Sequence, residues 1–157
     1  MLKNREYPDR PVVGVGGVVI RDGRALLIRR GSEPLKGQWS IPGGLLELGE
    51  TLEEGVRREL REETGLEVRV LELIEVFERI FPEPEPGRAP SSHRPGPRYH
   101  YVILDYLCEA PEGEPRAGGD VTEVAFAAEA ELEQFHLTPT ATRVLRKAFA
   151  MARQRAL

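Results

Sequence analysis

The chain has 157 residues, 40% hydrophobic and 31% charged, which fits one ordinary domain spanning 1–157 and excludes a disordered polymer. Lys and Arg number 22 against 26 Asp and Glu, a formal net charge of −4, which argues against a general nucleic-acid partner. A lone cysteine, Cys108, rules out an intrachain disulfide, and no apolar leader or membrane-length run is visible, so a soluble cytoplasmic protein with no membrane partner is expected.

Residues 1–11 form a polar lead-in ending at Pro11. Val12–Ile20, VVGVGGVVI, is β-branched and glycine-rich and predicts a strand. Its glycines do not form G-x-G-x-x-G and no helix follows, which disfavours a dinucleotide fingerprint. Asp22-Gly23 predicts a hairpin turn into a second strand, Ala25–Arg30. After a loop from Gly31 to Gln38 comes a short extended piece, Trp39–Pro42, broken by Pro42-Gly43-Gly44. Thr51 and Glu54 fit a capping box and Gly65 a C-terminal stop, so a helix is expected between them. Leu66–Phe81 alternates apolar and charged residues for much of its length and reads as a strand. Pro82–Pro97, PEPEPGRAPSSHRPGP, reads as a loop inserted between two strands. Tyr99–Cys108 is apolar on both alternating faces, like a central buried strand. Another strand follows at Val121–Ala127, then a short helix at EAELEQF, and Thr138-Pro139 starts a final helix running to about Arg155. The order implies a mixed sheet covered by helices, in the α/β or α+β range.

The helix of Arg57–Gly65, RRELREETG, crowds Glu59, Glu62 and Glu63 into about one turn, although like charges at (i, i+4) destabilise a helix by roughly 0.2–0.5 kcal/mol. At ~100° per residue, Leu52, Val56 and Leu60 make one apolar stripe. Glu59 and Glu63 project within about 60° of its centre, Glu62 lies on the flank, and Glu53, Glu54, Arg57 and Arg61 face away. Carboxylates aimed at the body of a protein must be paired, protonated or metal-bound. Spacing alone leaves two resolutions open, an ion-pair network through Arg58 or a hard divalent cation with oxygen ligands.

The wider stretch GGLLELGETLEEGVRRELREETGL carries Gly44, Glu50, Arg58-Glu59-Leu60, Glu62-Glu63 and Gly65-Leu66. It resembles the signature of the Nudix hydrolases at every constrained position, and the resemblance extends over roughly residues 11–155. Gly55 is a mild departure, since an alanine is common there, and glycine costs ~1 kcal/mol inside a helix. The resemblance implies a Nudix-like α/β/α sandwich, with a mixed β-sheet between helices, whose motif cradles divalent cations, Mg2+ or Mn2+. It also implies hydrolysis of a nucleoside diphosphate linked to some group X. Glu59 and Glu63 would be the principal metal ligands, Glu62 a ligand or the base, and the Gly43 carbonyl a further ligand. Arg58 and Glu50 would brace the glutamates.

Some members of the family place their base on a late loop. Asp120 and Glu123 stand in that region, and ordinary strand-entry charges are the competing reading. Arg30 resembles a nucleotide-contacting position in some relatives, against a plain surface arginine; Arg98 and Tyr99 could meet substrate. Trp39 fits packing better than base stacking, and His93 and His100 lack a second ligand at metal spacing.

The overall look most resembles the ADP-ribose pyrophosphatase-like group, implying AMP and ribose 5-phosphate as products. A nucleoside triphosphate pyrophosphohydrolase acting on non-canonical nucleotides is the runner-up, followed by dinucleoside polyphosphates and NADH. A non-catalytic nucleotide-sensing domain would be expected to have lost motif glutamates. A Nudix-fold isomerase would need a pocket cysteine, whereas Cys108 reads as core. The resemblance also allows a homodimer.

Overall fold

A computed structural model describes residues 5–81 and 96–157. The chain runs β1 (Val12–Arg21), β2 (Arg24–Arg30), β3 (Trp39–Ser40), β4 (Gly43–Leu45), α1 (Leu52–Thr64), β5 (Arg69–Phe81), β6 (Tyr99–Glu109), β7 (Val121–Ala128), a 3₁₀ helix (Glu129–Phe135) and α2 (Pro139–Gln154). Of the proline-rich insertion expected at 82–97, residues 82–95 lie outside the described residues.

The sheet is mixed. Its order is β3-β2-β1-β6-β5, with β4 added to β1 and β7 to β2. Among the described residues, only β1 and β6 pair in parallel, from Val12 opposite Tyr101 to Val19 opposite Cys108. The β1–β2 turn has Asp22 at φ 50° and Gly23 at φ 72°, the double left-handed geometry that matches a two-residue hairpin to strand twist. As the alternation predicts, β6 lies inside the sheet, between β1 and β5.

Successive residues of β1 divide between two cores. Val18 and Ile20 join Leu27, Leu107, Val144, Leu145 and Phe149 under α2. Val15 and Val19 join Leu26, Val56, Leu60, Leu66 and Cys108 under α1. The result is the expected α/β/α sandwich. Among the described residues, no helix is long and apolar enough to cross a membrane.

The helix ends follow their local chemistry. The Thr51 side chain accepts from the Glu54 N–H at 3.1 Å and the Glu54 carboxylate accepts from the Thr51 N–H at 3.0 Å. Gly65, at φ 73°, closes the other end by donating to the Arg61 carbonyl. Thr138 caps α2 at the Ala141 N–H, with Pro139 in its first turn.

One element differs from expectation. Gly43 and Gly44 do not end the extended piece; they begin β4, which pairs antiparallel with β1 through Gly14–Leu45, Val15–Gly44 and Gly16–Gly43. A Cβ on Gly43 would overlap the Val15 carbonyl, so a glycine pair that reads as a breaker serves close strand approach. EAELEQF forms its short helix in the tighter 3₁₀ form, a run of seven residues that is long for that geometry, and ends at His136, at φ 50°.

Candidate active site

The second half of α1 faces β4 across a groove of about 520 Å³. Helical periodicity turns Leu60 into the core at 0% exposure and leaves Glu59 and Glu63 half-buried beside it, with Glu62 exposed. The far wall is supplied by Arg30, Gly31 and Ser32 after β2 and by Gly119 and Asp120 before β7. The loop bearing Asp120 is tied to the end of α1, where Arg116 donates to the Thr64 carbonyl at 2.9 Å and Gly118 to the Glu63 carbonyl at 3.1 Å. These bonds satisfy carbonyls that a helix C-terminus leaves open.

Arg58 organises the acidic side chains. Its guanidinium grips Glu50 with two bonds, at 2.6 and 2.9 Å, and donates to Glu59 at 2.7 Å, to Glu62 at 3.3 Å and to the Leu45 carbonyl at 2.9 Å. Planar, forked and always charged, it suits several carboxylates at once. The Arg58 bonds hold the Glu50 carboxyl below its ordinary pKa. Burial moves Glu59 the other way, with Arg58 opposing the rise. Glu63 lies beyond Arg58 and accepts from the Gly43 N–H at 2.7 Å. Burial pushes its pKa up to about 8, with the Gly43 bond and Arg30 opposing and Glu59 adding to the rise.

Of the two resolutions that the spacing leaves open, the ion-pair network is seen at Glu50, Glu59 and Glu62, whereas Glu63 accepts one backbone N–H. Among the described residues, no three carboxylate, histidine or cysteine groups form a ready-made metal cage, since Glu62 points outward and the other two are held apart by their donors. The donor set nevertheless fits a hard cation that keeps waters and substrate oxygens in its shell. It is all oxygen, two of its carboxyls are desolvated, and Gly44 leaves the space needed: a Cβ there would overlap the Glu59 carboxylate.

The remaining expected residues separate. Arg30 lines the groove and is partly buried, its Nε–H donating to the Pro34 carbonyl at 2.6 Å. Burial lowers its pKa while the Glu63 charge opposes. Asp120 faces the groove, but Glu123 is exposed and bonded to Arg29 at 3.3 Å outside it. Arg98 pairs with Glu6 at 3.3 Å. Tyr99 is buried against Tyr101, with ring centroids 6.0 Å apart. Neither Arg98 nor Tyr99 lines the groove. Cys108 packs under α1, away from it.

An adjoining cavity of about 140 Å³ lies on the α2 face of the sheet. Arg5, Arg30, Gly43, Gly44 and Leu45 border both spaces. Trp39, Phe77, Phe81, Tyr101 and Ile103 wall the cavity, and Asp105 reaches it from β6. The sequence reading missed Asp105 and Tyr101; the available signal was a lone aspartate in a strand otherwise apolar on that face.

Comparison with known proteins agrees with this geometry. Residues 10–150 match the NUDIX domain model. The chain belongs to the Nudix hydrolase family. It is 38% identical over 125 residues to an ADP-ribose pyrophosphatase of Methanocaldococcus jannaschii, covering 80% of this chain and 66% of that protein. It is 55% identical over 123 residues to a MutT-like protein of Streptomyces ambofaciens, covering 78% of this chain and 67% of that one. It thus spans about two-thirds of the length of these relatives. A crystal structure of a MutT NUDIX hydrolase from Burkholderia pseudomallei superimposes with a TM-score of 0.71 at 32% identity, covering 88% of this chain and 98% of the other.

Proposed function

We propose that this Nudix protein is a Mg2+- or Mn2+-dependent pyrophosphohydrolase of the cytoplasm that acts on a nucleoside diphosphate linked to X, with ADP-ribose as the leading substrate. The observation that carries the reading is the cluster of Glu59 and Glu62, braced by Arg58, with Glu63 on the Gly43 N–H, on one wall of an open groove, where Gly44 leaves room at the Glu59 carboxylate. The 38% identity to an ADP-ribose pyrophosphatase supports the substrate.

Glu59, Glu62 and Glu63, with the Gly43 carbonyl, would hold the cation. When bound, a divalent cation there supplies charge neutralisation and water activation. Arg58, itself gripped by Glu50, orients Glu59 and Glu62 toward the groove. Arg30, at the border of groove and cavity, would hold a phosphate; among the described residues no carboxylate bonds its guanidinium. Glu62, exposed on the groove wall, or Asp120 opposite, takes the proton from the attacking water. The water oxygen forms the new P–O bond, the P–O–P bridge breaks, and for ADP-ribose the products are AMP and ribose 5-phosphate.

The test is product analysis with ADP-ribose and Mg2+, wild type beside Glu63→Gln. AMP from wild type alone supports the reading. No AMP from either removes ADP-ribose as substrate and passes the question to nucleoside triphosphates in the same assay.

A further inference from the structure

The cavity on the α2 face holds a feature that the metal-site reading leaves unexplained. Asp105 is 4% exposed and sits at mid-length of β6, opposite Gly16 of β1 and Glu75 of β5. Among the described residues, no hydrogen bond reaches its carboxyl; the charges acting on it are Glu75, itself bonded to Arg143, and Arg79. A Cβ on Gly16 would overlap Asp105 Oδ1, so the neighbouring strand is bare where the carboxyl lies. Four residues earlier on the same face, the Tyr101 hydroxyl is buried beside Arg5 at the same cavity. Buried polar groups are nearly always partnered, and a buried carboxyl that is not, at the wall of a cavity, points to a ligand.

The cavity limits what that ligand is. Its walls are largely aromatic and aliphatic, Trp39, Phe77, Phe81 and Ile103 among them, which suits a planar ring. Its border with the groove is shared through Arg30 and the Gly43–Leu45 strand, so a nucleotide with its pyrophosphate in the groove can place its base here.

We propose that Asp105 is the specificity-determining residue for the nucleobase, pairing through its carboxyl with the adjacent ring nitrogen and amino N–H of an adenine-type base. This deepens the pyrophosphohydrolase reading and rests on it for the nucleotide. The ring edge offers one acceptor and one donor side by side, the pattern that an asparagine or glutamine amide reads in adenine. A neutral carboxyl offers the matching acceptor and donor, and burial pushes the Asp105 pKa up to about 7, Glu75 adding to the rise and Arg79 opposing it. A guanine edge pairs best with an ionised carboxylate, through its adjacent ring and amino N–H donors, the form that the apolar surroundings of Asp105 disfavour.

The experiment compares wild type, Asp105→Asn and Asp105→Leu. Binding of ADP-ribose and of GDP-mannose is measured by calorimetry with the metal chelated, then KM and kcat for both with Mg2+, after thermal melts show all three folded. Leucine is close to aspartate in shape, and asparagine keeps a donor beside an acceptor. Expected is a 5- to 150-fold loss in Kd and KM for ADP-ribose in Asp105→Leu, the range for one bidentate base contact, with kcat within about threefold and little change for GDP-mannose. Asp105→Asn should stay within about threefold of wild type. An Asp105→Leu protein that keeps its affinity and base preference overturns the proposal, as does an Asp105→Asn protein that loses as much as Asp105→Leu. If wild type binds ADP-ribose but hydrolyses neither compound, the hydrolase reading fails while the binding comparison still decides on Asp105. Wild type that binds neither nucleotide overturns the proposal.

Discussion

The groove and the cavity each contain buried carboxyl groups, and they accommodate them in opposite ways. In the groove, Arg58 spreads one positive charge over Glu50, Glu59 and Glu62, leaving Glu63 with a single backbone donor beside an open space. In the cavity, Asp105 has no such donor among the described residues and apolar walls around it. Clustered carboxylates of the first kind are built to stay charged once a cation neutralises them; an isolated carboxyl of the second kind is built to be neutral. The same residue chemistry therefore serves charge handling in one place and recognition in the other.

The largest effect should come from breaking the groove. Glu63→Gln or Glu59→Gln removes a carboxylate from the cation set but keeps its shape. Loss of an outer partner alone typically costs 10–100-fold, so loss of an inner group should cost at least about 100-fold in kcat. Circular dichroism and melting temperature should stay near wild type. Near-normal turnover at saturating Mg2+ would take the substituted glutamate out of the site.

Gly44→Ala probes the same groove without touching a carboxylate. The new methyl would overlap the end of the Glu59 side chain. That end can swing, so the fold should survive while turnover falls about 10–100-fold. Full activity in this variant would mean that the position of Glu59 is not constrained.

Titration sharpens the contrast. Asp105 and Glu63 are both raised in the fold, to about 7 and about 8, from ordinary values near 4. Folded protein therefore binds more protons than unfolded chain in this interval. The stability contribution is fully present below about pH 4 and is lost as pH rises through 7 for Asp105 and 8 for Glu63. Melting of the metal-free protein should accordingly fall from pH 5 to pH 9. Glu63→Gln should flatten mainly the upper part of that slope and Asp105→Leu the lower part. Added Mg2+ or Mn2+ should raise the melting temperature more at pH 8 than at pH 5.5, because the cation needs the deprotonated carboxylates. A cation-induced shift independent of pH would argue against binding through Glu63.

Much of this is legible in the amino-acid sequence. The Thr51 box and Gly65 stop set α1, and the 3.6-residue period placed Glu59 and Glu63 toward the body and Glu62 at the flank, because helix geometry converts spacing into direction. Gly55 shows where local rules lose: a Cβ there would press on Leu46, Glu50 and Val15, so packing between α1 and its loop outweighs helix propensity. β4 was hidden because a Pro-Gly-Gly run has no side-chain pattern and its partner, β1, is distant in sequence. Asp105 was hidden for a related reason. Whether an aspartate in a strand is exposed or sealed into a cavity depends on what covers that face, here α2 and the edge of β5.

The smallest expected effect separates the two late acidic residues. Asp120 lines the groove, whereas Glu123, only three residues further on, is exposed and bonded to Arg29 at 3.3 Å. An exposed pair of this kind is worth about 0–1 kcal/mol, so Glu123→Gln should leave kcat within about twofold and the melting temperature almost unchanged. Asp120→Asn should leave stability equally untouched. If Asp120 takes the proton, however, kcat should fall by the roughly 10²–10⁴-fold attributed to a positioned base, with the low-pH limb of the rate profile altered; if Glu62 does, that loss moves to Glu62→Gln. A large loss in Glu123→Gln would mean that the β7 entry closes onto the groove when substrate binds, since the present geometry gives Glu123 no path to it.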